Sequence, residues 1–444
     1  MNFRKNSGIT LVFSIIVIIL TGLIVSYDYA YAKNIDDFLT LALTSSREVK
    51  KMKIELQNNN NSNLIEEISY NPNFTVTLDN NHNYTYTLNK KVADLVNLSV
   101  TRGDSYDNAD KGTTTYSLSL DLRRLDNSDL LSVKYSYNLD LLNYVTQREK
   151  LKLRIIRDFY DLISQIEEYK VLESSCERWK DMLNYSKSRY ELGLANKIDY
   201  LNAEVNLGQA QNNLLRQSQS IETAKEQFLD LIGYDVKKGD VAKIDFGYDI
   251  KFEPMNTASI MLIKTSPSKE YVREDYEAEK VRLKIAEIKY NKIKKQALPK
   301  LKLNLSRTEY ENKSLSNNFS SMVTYDFNLG PQSNKISEWI EKNNYELRNI
   351  SLSELDSSIL IEQRDIVRKI DYLEKAYEIA AKNLTQAEEN YEFSKLSFQK
   401  GMISNIDLRD AQEKLTSAKR NVISLIIQHK VAKYQFYYAM GKDL

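Results

Sequence analysis

The chain has 444 residues, 62 of them Lys or Arg and 61 Asp or Glu, for a formal net charge of +1. That balance argues against a nucleic-acid partner, which needs an excess of basic residues. With two histidines (His82, His429), a single cysteine (Cys176), 12 glycines and 5 prolines, the chain has no material for a His-rich metal site or an intrachain disulfide framework. The scarcity of turn residues predicts few, long elements.

Arg4 and Lys5 precede an apolar run from Ile9 to Val25, and Ala30-Tyr31-Ala32 follows. A charged n-region, an apolar h-region and an A-x-A site in that order predict a cleaved secretory signal over residues 1–32. The run is long for an h-region, so an uncleaved anchor is the alternative. Without this segment basic and acidic residues number 60 each. No other apolar stretch is long enough for a transmembrane helix, so a mature chain in a membrane must sit there as a β-barrel.

Next comes a polar helix over about Ile35–Gln57. Alternating apolar residues then predict strands through Phe74, Val76 and Leu78, through Tyr84, Tyr86 and Leu88, and through Tyr116, Leu118, Leu120 and Leu122. The stretch around Arg102 to Gly112 is either a long external loop or an extra strand. Asp129 to Glu191 lacks proline and glycine and predicts a helix ~90–100 Å long. A shorter helix follows Gly193. Residues 234–266 form a weakly patterned linker. The order then recurs over 267–444: a helix over Lys269–Gln296, strands through Leu301–Leu305 and Val323–Leu329, a long helix from Gln332 to Lys400, and a helix after Gly401.

A shift of 208 residues superimposes the two halves without a gap, and 14 of the 49 positions from 185 to 233 are identical. Gly193, Ile198, Asp199, Ala203 and Leu207 fall on Gly401, Ile406, Asp407, Ala411 and Leu415. This predicts a tandem duplication, with a first repeat over 33–233 and a second over 267–444.

The long helices carry heptads. Ile370, Tyr377, Leu384, Tyr391 and Phe398 recur every seven residues, and Leu162, Tyr169, Cys176, Leu183 and Tyr190 match them in the first repeat. A seven-residue repeat keeps one seam facing a partner helix and produces coiled-coil packing. Cys176 and His429 both fall on seam positions, so both are expected to be packed rather than reactive or metal-ligating.

The strands alternate apolar residues with Thr, Ser, Asn and Asp, as a barrel between lipid and water requires. About four strands per chain cannot close a barrel, because the smallest membrane barrels use about eight. A membrane location therefore requires several subunits to share one.

Taken together, the paired motifs from Gly193 to Leu207 and from Gly401 to Leu415, the duplication, the hairpins and the helix lengths resemble the TolC outer-membrane efflux family over nearly all of the mature chain. That resemblance implies a mainly α fold with a smaller β part, in which a homotrimer builds an α-barrel across the periplasm and a twelve-stranded β-barrel in outer-membrane lipid. It also implies a passive channel in a tripartite efflux or type I secretion system, working with a periplasmic adaptor and an inner-membrane pump. No cofactor and no catalytic activity are implied. The turns around Gly193 and Gly401, with Ala203 and Ala411 beside them, become the periplasmic entrance. Asp407 and Asp410, with Asp199 on the neighbouring turn, become its acidic ring. Asp199 and Asp407 equally suit helix N-terminal capping. Phe398 and Ile403 occupy positions of the family's closing latch but lack its polar groups, so the latch is expected to be weaker or built differently. The competing reading is a non-conducting coiled-coil envelope protein. Its home is the cell envelope if the host has no outer membrane.

Overall fold

The computed structural model describes residues 34–68, 71–78, 83–92, 96–105, 112–121, 128–235, 244–255, 273–296, 300–311, 317–326, 331–442 and 444. The expected signal segment and parts of the linker lie outside them. In chain order the elements are α1 (Ile35–Ser45), α2 (Arg47–Ile68), β1 (Asn73–Leu78), β2 (Asn83–Val92), β3 (Val96–Ser105), β4 (Thr113–Asp121), α3 (Ser128–Glu191), α4 (Lys197–Leu231), α5 (Glu274–Gln296), β5 (Lys300–Tyr310), β6 (Asn318–Asp326), α6 (Pro331–Gln399) and α7 (Asn405–Ala439). The fold is mainly helical with one antiparallel sheet, as expected. The 64-residue α3 and the 69-residue α6 are each followed by a 35-residue helix.

Two expectations need correction. The single helix expected over Ile35–Gln57 is two, because the chain turns extended at Ser46 (φ −60°, ψ 142°). Ser46 is fully buried there, and Ser45 Oγ donates to the Ile232 carbonyl at 3.0 Å. Gly233, at φ +82°, lies against this junction so closely that an added Cβ would sit 2.5 Å from the Ser45 carbonyl oxygen. The second correction is the strand count. The count, put at about four, is six among the described residues: the five strands that alternation marked and one more, in the order β1-β2-β3-β4-β5-β6. The stretch from Arg102 begins as strand rather than loop, since Val96 to Ser105 pairs in full with β2.

The described residues group into two compact units. One draws on the described residues within 34–47, 154–253 and 373–431, the other on those within 48–153, 254–372 and 432–444. The first has an aromatic core. The Phe38 ring lies 5.9 Å from Phe159, 5.3 Å from Phe228 and 5.3 Å from Phe246. Phe246 belongs to the weakly patterned linker, which is fastened to α3 by polar contacts. Tyr248 Oη donates to Glu167 Oε1 at 2.5 Å, and Lys170 Nζ donates to both at 2.8 Å. Those bonds hold the Lys170 ammonium charged by raising its pKa. His429 is buried, 3.2 Å from Glu374 Oε1, with its ring tilted against Phe252 at 4.7 Å between centroids. Cys176 is only half-buried, with partial desolvation pushing its thiol pKa up.

The second unit contains the sheet. Its helices are tied by Arg273, whose guanidinium donates to Asp275 at 2.7 Å and to Glu362 at 2.5 Å and covers the Tyr438 ring at 5.1 Å. The register of the sheet separates its faces. Thr75, Thr87, Thr101, Thr115 and Thr308 pair in one continuous row. Beside it run Ser99, Ser117, Ser306 and Ser320. Hydroxyls meet across strands at 3.2 Å between Thr115 and Thr308 and at 2.7 Å between Ser306 and Ser320. The opposite face carries Phe74, Val76, Leu88, Val100, Leu118, Leu303 and Val323. Phe74, Val76 and Val323 are 62%, 53% and 65% exposed.

Candidate functional site: the paired helix turns

Within the first unit α3 and α6 each end in a tight turn that starts the following helix. Gly193 and Gly401 take φ of 72° and 74°, the left-handed conformation that residues with a Cβ disfavour. The amides of Gly193 and Leu194 donate to the carbonyls of Tyr190 and Arg189 at 2.9 and 2.8 Å. Those of Gly401 and Met402 donate to Phe398 and Ser397, both at 2.9 Å. Each pair of bonds is a Schellman motif, which satisfies the last carbonyls of the helix.

The helices that follow start differently. At α7, Ser404 Oγ accepts from the Asp407 amide at 3.2 Å, and Asp407 Oδ2 accepts from the Ser404 amide at 3.0 Å and its hydroxyl at 2.7 Å. This is a reciprocal capping box. The Ser404 hydroxyl and amide hold the Asp407 carboxyl below its ordinary range. At α4, Asn196 Oδ1 accepts from the Ile198 amide at 3.3 Å. The Asp199 carbonyl accepts from Asn405 Nδ2 at 3.2 Å, so the two turns touch. Asp410 lies one helical turn further on, exposed, with Arg409 Nη2 at 3.4 Å.

Beneath the turns is an apolar cluster of Trp179, Met182, Tyr391, Phe398, Leu408 and Leu415, with Ile403 packed against it. Ala203 and Ala411 are buried, at 0% and 5% exposure. Their methyls mark where α4 and α7 press against neighbours. Phe398 and Ile403 are thus packing residues in this structure.

Polar contacts absent from the expectation complete the site. Tyr185 Oη donates to the Gln399 carbonyl at 2.6 Å, and its ring lies 5.4 Å from Phe398. This is a tie from α3 to the opposite turn. Tyr185 aligns with Phe393, so the hydroxyl exists in one half only. Arg178 donates to Ser174 Oγ at 2.8 Å and to Thr416 Oγ1 at 3.2 Å and lies over the Tyr391 ring at 5.6 Å. Desolvation lowers its pKa. Gln412, 1% exposed, donates to the Ser175 carbonyl at 3.1 Å.

The turns also present bare apolar side chains. Leu192, Leu194 and Ile198 are 73%, 65% and 60% exposed, and Met402 and Ile406 are 73% and 59%.

Residues 38–234 match the family model of outer membrane efflux proteins. No curated protein sequence matches the chain. Among solved structures, the outer-membrane protein VceC of Vibrio cholerae is similar over 92% of this chain and 96% of its own, with a TM-score of 0.71 at 13% identity. The CmeC outer-membrane channel of Campylobacter jejuni is similar over 92% and 85%, with a TM-score of 0.70 at 13% identity. The outer-membrane channel OprN is similar over 92% and 89%, with a TM-score of 0.71 at 12% identity. The resemblance to outer-membrane efflux proteins is therefore upheld as a match to the family model over residues 38–234 and as a shared fold over most of the chain.

Proposed function

We infer that this chain, which has the fold of outer-membrane efflux channels and matches their family model over residues 38–234, is the subunit of a passive outer-membrane export duct. The division of the sheet into an exposed apolar face and a Thr/Ser face carries the reading. An apolar face without a protein cover suits lipid. A hydroxyl-lined face suits a water-filled lumen.

Three copies supply the closed barrel and the α-barrel below it. The exposed leucines and isoleucines of the two turns form the docking end for a periplasmic adaptor, which links the duct to an inner-membrane pump. The pump supplies the energy and selects the cargo. At the entrance Asp410 is the better pore acid, because the Asp407 carboxylate is engaged by the Ser404 cap. A three-fold axis converts one such carboxylate into a ring that concentrates cations in a narrow opening.

The test is conductance of the purified full-length protein in planar lipid bilayers. Discrete, cation-preferring steps are expected, with the preference reduced in Asp410→Asn and less affected by Asp407→Asn. A protein that partitions into membranes as a trimer but never conducts would instead be a coiled-coil envelope spacer.

A further inference from the structure

The acids at the start of α7 have a base among them. We propose that Arg409 sets the charge selectivity of the duct, by holding one cation against those acids so that only part of their charge acts on a passing ion. The assignment rests on the export-duct reading above.

Three observations carry it. The first is the contact itself. Arg409 Nη2 lies 3.4 Å from Asp410 Oδ1, and Arg409 Nε lies 3.7 Å from Glu413 Oε1, one helical turn further on. One guanidinium thus faces two of the three carboxylates in this part of α7. The third, Asp407, is engaged by Ser404.

The second is that the cation is pinned and the acids are not. Arg409 Nε is buried, whereas the side chains of Asp410 and Glu413 are 54% and 67% exposed. Asn405, one turn earlier on the same face of α7, is buried and donates to the Asp199 carbonyl at 3.2 Å. The stem of Arg409 therefore leaves α7 on the side that meets the α4 turn, and its charge stays at the entrance.

The third is the repeat. The shift of 208 residues that superimposes the turns puts Arg409, Asp410 and Glu413 on Leu201, Asn202 and Val205. The base and the two acids it faces occur together in one half and are absent together from the other, as a group that works as a unit should be. Over residues 400–414, Lys400, Arg409 and Lys414 balance Asp407, Asp410 and Glu413. Over residues 192–206, Lys197 stands against Asp199 and Glu204. The two turns therefore carry one net negative charge per copy. Removing Arg409 doubles that charge, and neutralising Asp410 abolishes it.

A three-fold axis multiplies each change. At 0.1 M salt the screening length is ~10 Å. Three cations removed from an aperture of about that radius favour a passing cation ~2-fold and disfavour an anion as much, so their ratio changes roughly fourfold. At 1 M salt the screening length falls to ~3 Å and the effect is lost.

The test is the reversal potential of the purified full-length protein in planar lipid bilayers, under potassium chloride gradients around 0.1 M and around 1 M. At the lower salt Arg409→Gln should raise the cation-to-anion permeability ratio roughly fourfold, and Arg409→Lys should stay close to the unsubstituted protein. Asp410→Asn should lower the ratio. Arg409→Gln combined with Asp410→Asn should return it to the starting value, because base and acid leave together. Lys414→Gln removes the same formal charge from an exposed lysine and should raise the ratio less. All these differences should disappear at 1 M, which a loss of folding would not do. An unchanged ratio in Arg409→Gln, or equal effects of Arg409→Gln and Lys414→Gln, overturns the assignment and leaves the duct reading intact. Absence of conductance in the unsubstituted protein overturns both.

Discussion

Gly193 and Gly233 have nearly the same backbone, φ +72° and +82°, yet alanine at the two positions has different consequences. Both substitutions force a Cβ into the left-handed region, which costs about 1 kcal/mol. At Gly193 the new methyl meets nothing within 4 Å, so Gly193→Ala stops there. At Gly233 it would sit 2.5 Å from the Ser45 carbonyl oxygen and 2.7 Å from Ser46 Cα. Ordinary contact begins near 3.4 Å, so backbone at the α1–α2 junction must retreat by about 0.9 Å. Ser46 is fully buried and Ser45 is bonded to the Ile232 carbonyl, so the junction has little room. Overpacking of that kind adds roughly 1–3 kcal/mol, for a total of about 2–4. The assay is guanidinium unfolding of the purified full chain, followed by far-ultraviolet circular dichroism. Gly233→Ala should lower the midpoint at least twice as far as Gly193→Ala. Equal shifts would show that the close approach is not rigid and would refute the reasoning.

Removing the hydroxyl in Tyr185→Phe leaves the ring against Phe398 but deletes the bond to the Gln399 carbonyl. A loss of about 1 kcal/mol is expected, read as faster amide exchange confined to residues 396–404. Phe159→Ala empties the middle of the aromatic core and should cost about 3–5 kcal/mol in unfolding free energy; a change below 1 would mean that the cluster collapses to fill the gap. The Asp407 carboxyl is held below its ordinary value of 3.8. A depressed carboxyl stabilises the fold above its unfolded pKa and loses that contribution as pH falls through the folded one. The α7 cap should therefore survive mild acid and weaken only below about pH 4, whereas in Ser404→Ala amide exchange in the first turn of α7 should already be fast at neutral pH.

Much of the candidate site was legible because its signals are local. A glycine after a long unbroken helical stretch, followed by Asn196 or Ser404 and then Asp at the third helical position, spells a C-cap and an N-cap within a dozen residues of chain. The heptads placed Tyr391 and Phe398 on buried faces, since a helix repeats its orientation at fixed spacing. Tyr185, Arg178 and Gln412 escaped notice because a lone polar residue on a helix carries no periodic signal. Their partners, Gln399, Thr416 and Ser175, lie more than 200 residues away.

The sequence by itself determined the lengths of the two longest helices, the alternation that divides the sheet into an apolar and a hydroxyl face, and the position of the glycine turns. Each of these follows from backbone geometry and the spacing of residues near one another in the chain. Tertiary structure decided the rest. It broke the first helix at Ser46 because Gly233 presses there, fastened the linker through Tyr248 to Glu167 and Lys170, and made Val96 to Ser105 a strand. Alternation alone could not decide that last point, because Arg102 and Asp104 interrupt the apolar pattern and only pairing with β2 and β4 overrides them.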